Sequence, residues 1–489
     1  MHAQIRRVAW GLVAAFLLVF AQLNYLQIFA AEDIASNDHN LRSLLAEYSI
    51  KRGDIETLDF ETVARSRKTQ DRFQYLRTYP GGELYGHITG YYSLIYGNDR
   101  IEASYSEQLL GESGVISMQD IQDTFLDSGE RGDDVRLTVH SQLQQVAAEV
   151  LGGQEGSVVA MDPSTGEVRA MYSNPTYDPG PLSTHDSEEI RTYRRSLQPN
   201  SPESPLLSKA TSRSFPPGST FKVVTTAAAL ESGRFTPTST FPDPEALDLP
   251  LTDNTLTNFT NTSCTGTGSI DLFTALVESC DTTFALLGLR LPEELRRTSE
   301  ALGFNEPLPF DVGAEASTFP EVPDDQEPLR AFAGIGQGDV AATPLQMALV
   351  ASTVANGGRV PRPQLVREVR DASGSVVEQQ RSAPLGRAFS ATTAQELTRM
   401  MTSVVSDGTG TAAQIPGVEV AGKTGTAQTV EGAAPHAWFI CFAPASNPRI
   451  AVAVLVENGG ELGSEATGGA VAAPIAKAVI EADRRIRQW

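Results

Sequence analysis

The sequence is poor in cysteine. Of 489 residues only Cys264, Cys280 and Cys441 carry a thiol, and they show no metal-ligand spacing. No metal is implied, and six scattered histidines do not change that. Three cysteines also form no disulfide scaffold. Cys264 and Cys280 could pair, but the pattern does not call for it. Cys441, inside WFICFAP, reads as buried strand. Basic residues are scarce as well: 38 Lys and Arg stand against 60 Asp and Glu, a formal net charge of -22. Nucleic acid is therefore not an expected partner, because phosphate contacts need a basic face. After Ala31 no apolar run of spanning length occurs, which excludes a multi-pass membrane protein.

What is present begins at the N-terminus. Arg6 and Arg7 precede VAWGLVAAFLLVFA, Val8 to Ala21, and QLNYLQIFAA carries the segment to Ala31, before the acid Glu32. That length predicts a single-pass transmembrane helix with the arginines inside and the bulk of the chain extracytoplasmic, although Gln22, Asn24 and Gln27 dilute its outer half. A cleaved signal peptide is the rival, with its apolar core from Val8 to Ala21. Ala30 and Ala31 could serve a peptidase, but Ile28 and Phe29 are poor small-residue neighbours.

The length suggests more than one domain. Residues 1–31 would be cytoplasmic tip and anchor, 32–150 a mixed membrane-proximal domain, and 151–489 a larger domain. Gly156 to Ser173 predicts a β-hairpin turning at Pro163–Gly166. Tyr177 to Pro205 reads as a long surface connection. Helices are predicted from about Ser219, up to about Glu278, near Thr282, and from Thr343 to Gly358. VEVAGKTGTAQ, HAWFICFAP and RIAVAVLVE read as strands, and PIAKAVIEADRRI as a closing helix. The fold class is α+β, an antiparallel sheet covered by helices.

Three short segments carry chemistry. Ser219-Thr-Phe-Lys222 puts a hydroxyl one helical turn from an amine. A free hydroxyl is a weak nucleophile without a nearby base, and Lys222 serves as one only if its pKa is lowered. Ser279-Cys-Asp281 and Lys423-Thr-Gly-Thr426 follow, the last on a strand. Each alone is weak: Ser219 could simply cap a helix, and the KTG segment could be an exposed hairpin edge. In this order they resemble the penicillin-recognising serine acyltransferases. PGSTFK, GIGQGDVAATPLQMA, AGKTGTAQ and HAWFICFAP, with KRGDI, LRTYPGG and VVAMDPSTGEVRAM upstream, resemble a class B penicillin-binding protein over nearly the whole chain. Actinobacterial members of this size are similar.

The resemblance implies a β-lactamase/transpeptidase-like domain and a monofunctional D,D-transpeptidase that cross-links peptidoglycan stem peptides. It implies Ser219 as nucleophile, Lys222 as base and Ser279 as proton relay. The amides of Ser219 and Thr426 would form the oxyanion hole. Lys423, Thr424 and Thr426 would receive the substrate carboxylate, with Gly425 leaving room and Asp281 on the substrate side. β-Lactams would acylate Ser219, membrane-embedded cell-wall synthesis proteins would be partners, and no cofactor is implied. Arg52, Gly53 and Glu102 would be structural or partner-binding. His436 is expected to be a satisfied structural histidine and Asp339 a turn former. The second motif departs from the family's Ser-x-Asn, since Asp281 stands in place of asparagine. An ionised Asp accepts but does not donate and favours a protonated Lys222. The alternatives are a DD-carboxypeptidase or β-lactamase of the same chemistry, and a non-catalytic β-lactam sensor or scaffold of a cell-wall complex.

Overall fold

The computed structural model describes residues 2–25, 41–111, 131–323, 326–428 and 432–489. A five-stranded antiparallel sheet runs in the order Ala421–Ala427, His436–Ala443, Ile450–Val456, Gly156–Met161, Val168–Asn174. The hairpin predicted from Gly156 to Ser173 forms its far edge. His436–Ala443 and Ile450–Val456 are buried at every position. Such strands need cover on both faces. Trp438, Ile440 and Phe442 pack on one side with the helix Pro344–Ala355. Phe439 and Cys441 pack on the other with Ser141–Leu151 and Ala473–Arg487. Lys222–Glu231 lies inside the first helical layer, with every residue from Lys222 to Ala229 buried.

A second sheet has six strands, in the order Val376–Gln379, Val366–Arg370, Asp134–Leu137, Ile55–Glu56, Thr62–Lys68, Tyr75–Thr78. Its first two strands come from the C-terminal part of the chain. Val366–Arg370 pairs antiparallel with Asp134–Leu137, and Arg136 donates to Glu368 at 3.1 Å. The Thr138 hydroxyl lies between the two sheets, donating to the Val168 carbonyl at 2.7 Å with the Gln364 carbonyl 3.1 Å away. Under the N-terminal strands Glu102 is fully buried between Arg52, at 2.7 Å, and Arg77, at 2.6 Å.

Three expectations change. The first is the membrane span. The N-terminal helix is His2–Asn24, and among the described residues no helix is long and apolar enough to cross a membrane. The apolar run from Val8 to Ala21 would extend only about 21 Å at 1.5 Å per residue, short of a hydrocarbon core of about 30 Å. Arg6 and Arg7 fall within the helix, and Gln22 and Asn24 close it. Residues 26–31, where the expected span ended, lie outside the described residues. The transmembrane anchor and the single-pass cell-membrane localisation fall together. The second change is Tyr177 to Pro205, which is not a plain surface connection. Tyr177 is buried, and the segment holds the helix Ser187–Ser196, capped by Asp186. The third is cysteine pairing: Cys264 and Cys280 are joined, with Cα atoms 5.9 Å apart, while Cys441 is free and buried. Counting cysteines could not reveal that these two lie on adjoining loops.

Candidate active site

Glycine shapes the turn that carries Ser219. Gly218 has φ of 52°, and a Cβ there would fall 2.9 Å from the carbonyl oxygen of Thr426. Its N–H donates to the Gly336 carbonyl at 2.9 Å, and Trp438 Nε1 donates to the Pro216 carbonyl at 2.9 Å. These bonds press the 3-10 turn Gly218–Phe221 against the strand Ala421–Ala427. Gly425 serves the same contact, since a Cβ there would meet the Pro217 carbonyl and the Thr220 methyl, each at 2.9 Å.

Lys222 opens the helix one turn after Ser219 and is fully buried. Its Nζ donates to the Ser279 carbonyl at 2.7 Å, to Ser279 Oγ at 3.3 Å and to Asp281 Oδ1 at 2.7 Å. Ser279 sits between the helices Leu272–Val277 and Asp281–Arg290 with φ of 62°, a left-handed conformation uncommon for serine. That turn aims both its carbonyl and its hydroxyl at the lysine. Lys423 approaches Ser279 from the sheet, donating to its Oγ at 2.9 Å and to the Thr424 carbonyl at 3.0 Å. Asp281 does not cap the helix it begins; its carboxylate is spent on Lys222.

The two lysines share the Ser279 hydroxyl, and Lys222 alone is bonded to the Asp281 carboxylate. Burial pulls Lys222 below the ordinary lysine value while Asp281 pulls it back up, and burial wins. Lys423 lies well below its ordinary value, first from burial and then from the charge on Lys222. A protonated Lys222 has three N–H bonds, and all three are engaged by Ser279 and Asp281. Among the described residues no hydrogen bond engages the half-buried Ser219 hydroxyl.

A cavity of about 500 Å³ opens over this cluster, lined by Ser219, Ser279, Asp281, Thr424 and Thr426 among others. Lys222 and Lys423 stand behind its wall. The expected residues therefore converge, with the lysines reaching the cavity through Ser279 and Asp281. Elsewhere, His436 accepts from the Asn458 N–H at 3.1 Å, packs edge-on against Phe215, and is pushed down to about 4 by burial. Asp339 is exposed, and its carbonyl accepts from Thr318.

Known proteins share this sequence and fold. The family described as the penicillin binding protein transpeptidase domain matches residues 156–481. The chain belongs to that family. The penicillin binding protein A dimerisation domain matches residues 52–135 of this penicillin-binding protein. The peptidoglycan D,D-transpeptidase PbpA of Mycolicibacterium smegmatis is 40% identical over 497 residues, covering 99% of each chain. PbpA of Mycobacterium tuberculosis is 39% identical with the same coverage. The ceftriaxone acyl-enzyme structure of penicillin-binding protein A from M. tuberculosis has a TM-score of 0.85 and 39% identity, and the match covers 90% of this chain and 99% of that one. The class B resemblance holds over the full length.

The transpeptidase fold also brings in residues that the motifs did not mark. The Thr409 hydroxyl lies 2.6 Å from that of Thr424, and Thr467, Gly468 and Gly469 line the same cavity. A Cβ on Gly468 would meet the Trp438 carbonyl at 2.1 Å. Asn258, Phe259, Thr260 and Thr262 form another part of the wall, tethered through the disulfide at Cys264 to the residue after Ser279. The glycine-dense DGTGT and TGG stretches were the available signals for Thr409 and Gly468.

Proposed function

We propose that Ser219 carries the acyl group in a peptidoglycan D,D-transpeptidase, which is the activity of this chain. The observation that supports it is one cavity, lined by Ser219, Ser279, Thr424 and Thr426, with Lys222 and Lys423 both bound to Ser279 Oγ behind it. Ser219 Oγ attacks the carbonyl between the two D-alanines of a stem peptide, and its proton passes to Lys222 in its neutral form. The amides of Ser219 and Thr426 hold the oxyanion. The C–N bond breaks, and Ser279 passes the proton to the departing D-alanine. The amine of a second stem then attacks the ester carbonyl, a new amide forms, and Ser219 recovers its proton. The Thr424 and Thr426 hydroxyls receive the donor's terminal carboxylate, and Lys423 biases that end of the cavity from behind. A β-lactam follows the first half alone, since its cleaved amide nitrogen stays tethered.

Residues 151–489 would form the catalytic domain and 32–150 the non-catalytic one. Membrane-embedded wall-synthesis proteins would dock on the latter, and cross-linking in cells would reveal them. The nucleophile is tested by intact-protein mass after incubation with penicillin. The parent gains one adduct, and Ser219→Ala gains none while remaining folded. A stoichiometric adduct on the alanine variant would overturn the assignment.

A further inference from the structure

We infer that Glu278 selects the amine of the acceptor stem; this rests on the transpeptidase reading above. The cavity is asymmetric in charge. Of the residues that line it, only Glu278 and Asp281 bear charged side chains, and both are acids. The two lysines are fully buried and lie outside the lining. Asp281 is already paired with Lys222 at 2.7 Å. Glu278 is exposed, and among the described residues its carboxylate enters no hydrogen bond or ion pair.

Its mount, by contrast, is fixed. The Glu278 N–H donates to the Thr274 carbonyl at 2.9 Å, closing the helix Leu272–Val277. Ser279 and Cys280 donate back to Leu276 and Ala275, and Cys280 is bonded to Cys264. An uncommitted carboxylate is thus held one residue from the Ser279 relay. The neighbouring Asn258, Thr260 and Thr262 are neutral and supply no competing charge.

The two half-reactions use this wall differently. The donor arrives with a carboxylate, which Glu278 repels from its side of the cavity toward Thr424 and Thr426. The acceptor arrives as an ammonium, which a carboxylate draws in and orients before its proton is lost. Water, the competing acceptor, carries no charge and gains nothing. Glu278 is therefore a specificity-determining residue that favours aminolysis of the acyl-enzyme over hydrolysis.

The test uses the full chain, a thioester stem analogue as donor and Nα-acetyl-lysinamide as amine probe, with aminolysis and hydrolysis products counted together. Glu278→Gln should raise the KM for the amine about two- to fivefold with little change in the limiting rate, as expected for loss of one exposed charge contact. Glu278→Lys should raise it further, and Glu278→Asp should restore most of it. Added salt should raise the parent's KM and leave that of the Gln variant flat. An amine KM unchanged in both the Gln and Lys variants, with acyl-enzyme still forming, overturns the inference alone. Failure of the parent to form acyl-enzyme overturns the transpeptidase reading and this inference together.

Discussion

Asp281→Asn removes the one charge that opposes the desolvation of Lys222. In the proposed mechanism Lys222 must be neutral to accept the Ser219 proton. Its ammonium is buried, and the Asp281 carboxylate lies 2.7 Å from it with its side chain 18% exposed. Two unit charges 4 Å apart at an effective dielectric of about 20 interact by roughly 4 kcal/mol, and solvent contact at Asp281 screens part of that. If a third of such an interaction survives, the Lys222 pKa falls by about one unit, or about 1.4 kcal/mol. The sign follows directly. Burial already holds Lys222 below its ordinary value, Asp281 raises it, and the substitution deletes the raising influence. The alkaline rise in acylation rate should therefore move to lower pH by about one unit. At pH 7 acylation should quicken up to about tenfold, and the two proteins should converge at high pH, where Lys222 is neutral in both. Stopped-flow acylation by a chromogenic β-lactam from about pH 5.5 to 9 reads this. Superimposable profiles, or a fall at every pH, would refute the electrostatic account of the Lys222–Asp281 pair.

Glu102→Gln should destabilise the fold by about 3–5 kcal/mol, because Arg52 and Arg77 would share a buried site without a countercharge; thermal unfolding measures it. Burial works against Glu102's charge, but the two arginines outweigh it and hold its carboxyl below the usual range. Its contribution is thus complete above the ordinary glutamate pKa and is lost as pH falls through the lower folded value, so the parent's midpoint should drop more steeply in acid than the variant's. Reducing the Cys264–Cys280 bond, or replacing both residues by serine, opens a span of 16 residues and should cost on the order of 3 kcal/mol. It should also slow acylation, since the bond holds the residue after Ser279; an unchanged acylation constant in the folded serine variant would detach the loop from the site.

The motif residues were legible because chemistry restricts them to few residue types at fixed spacing. Ser219 to Lys222 is one helical turn, and the run from His436 to Ala443 has the apolar continuity of a doubly covered strand. What could not be read came from distant chain segments meeting. Thr409 reaches Thr424 across a helix–strand junction, and Gly468 is required by the Trp438 carbonyl, which no local pattern encodes. VREVR does not alternate with a strand's period of two, and nothing in those five letters says that its partner is Asp134–Leu137. The N-terminal helix failed for another reason. Its composition is apolar over too short a length, and extending the count through Gln22, Asn24 and Gln27 treated diluted sequence as membrane-compatible.

The hairpin Val366–Gln379 makes the catalytic half unsuitable for excision. An expression fragment beginning near residue 151 would lose Asp134–Leu137 and leave Val366–Arg370 as an open sheet edge, with Val366 and Val369 uncovered. Such a fragment should aggregate, and adding back a peptide spanning 131–140 in trans should rescue its solubility. In the intact protein the same ladder makes a mechanical linkage. Val168 donates to the Gln364 carbonyl at 2.9 Å, and Gln364 to the Gly166 carbonyl at 3.0 Å. A load applied to the N-terminal strands therefore reaches, through three hydrogen-bonded neighbours, the sheet on which Lys423 is mounted.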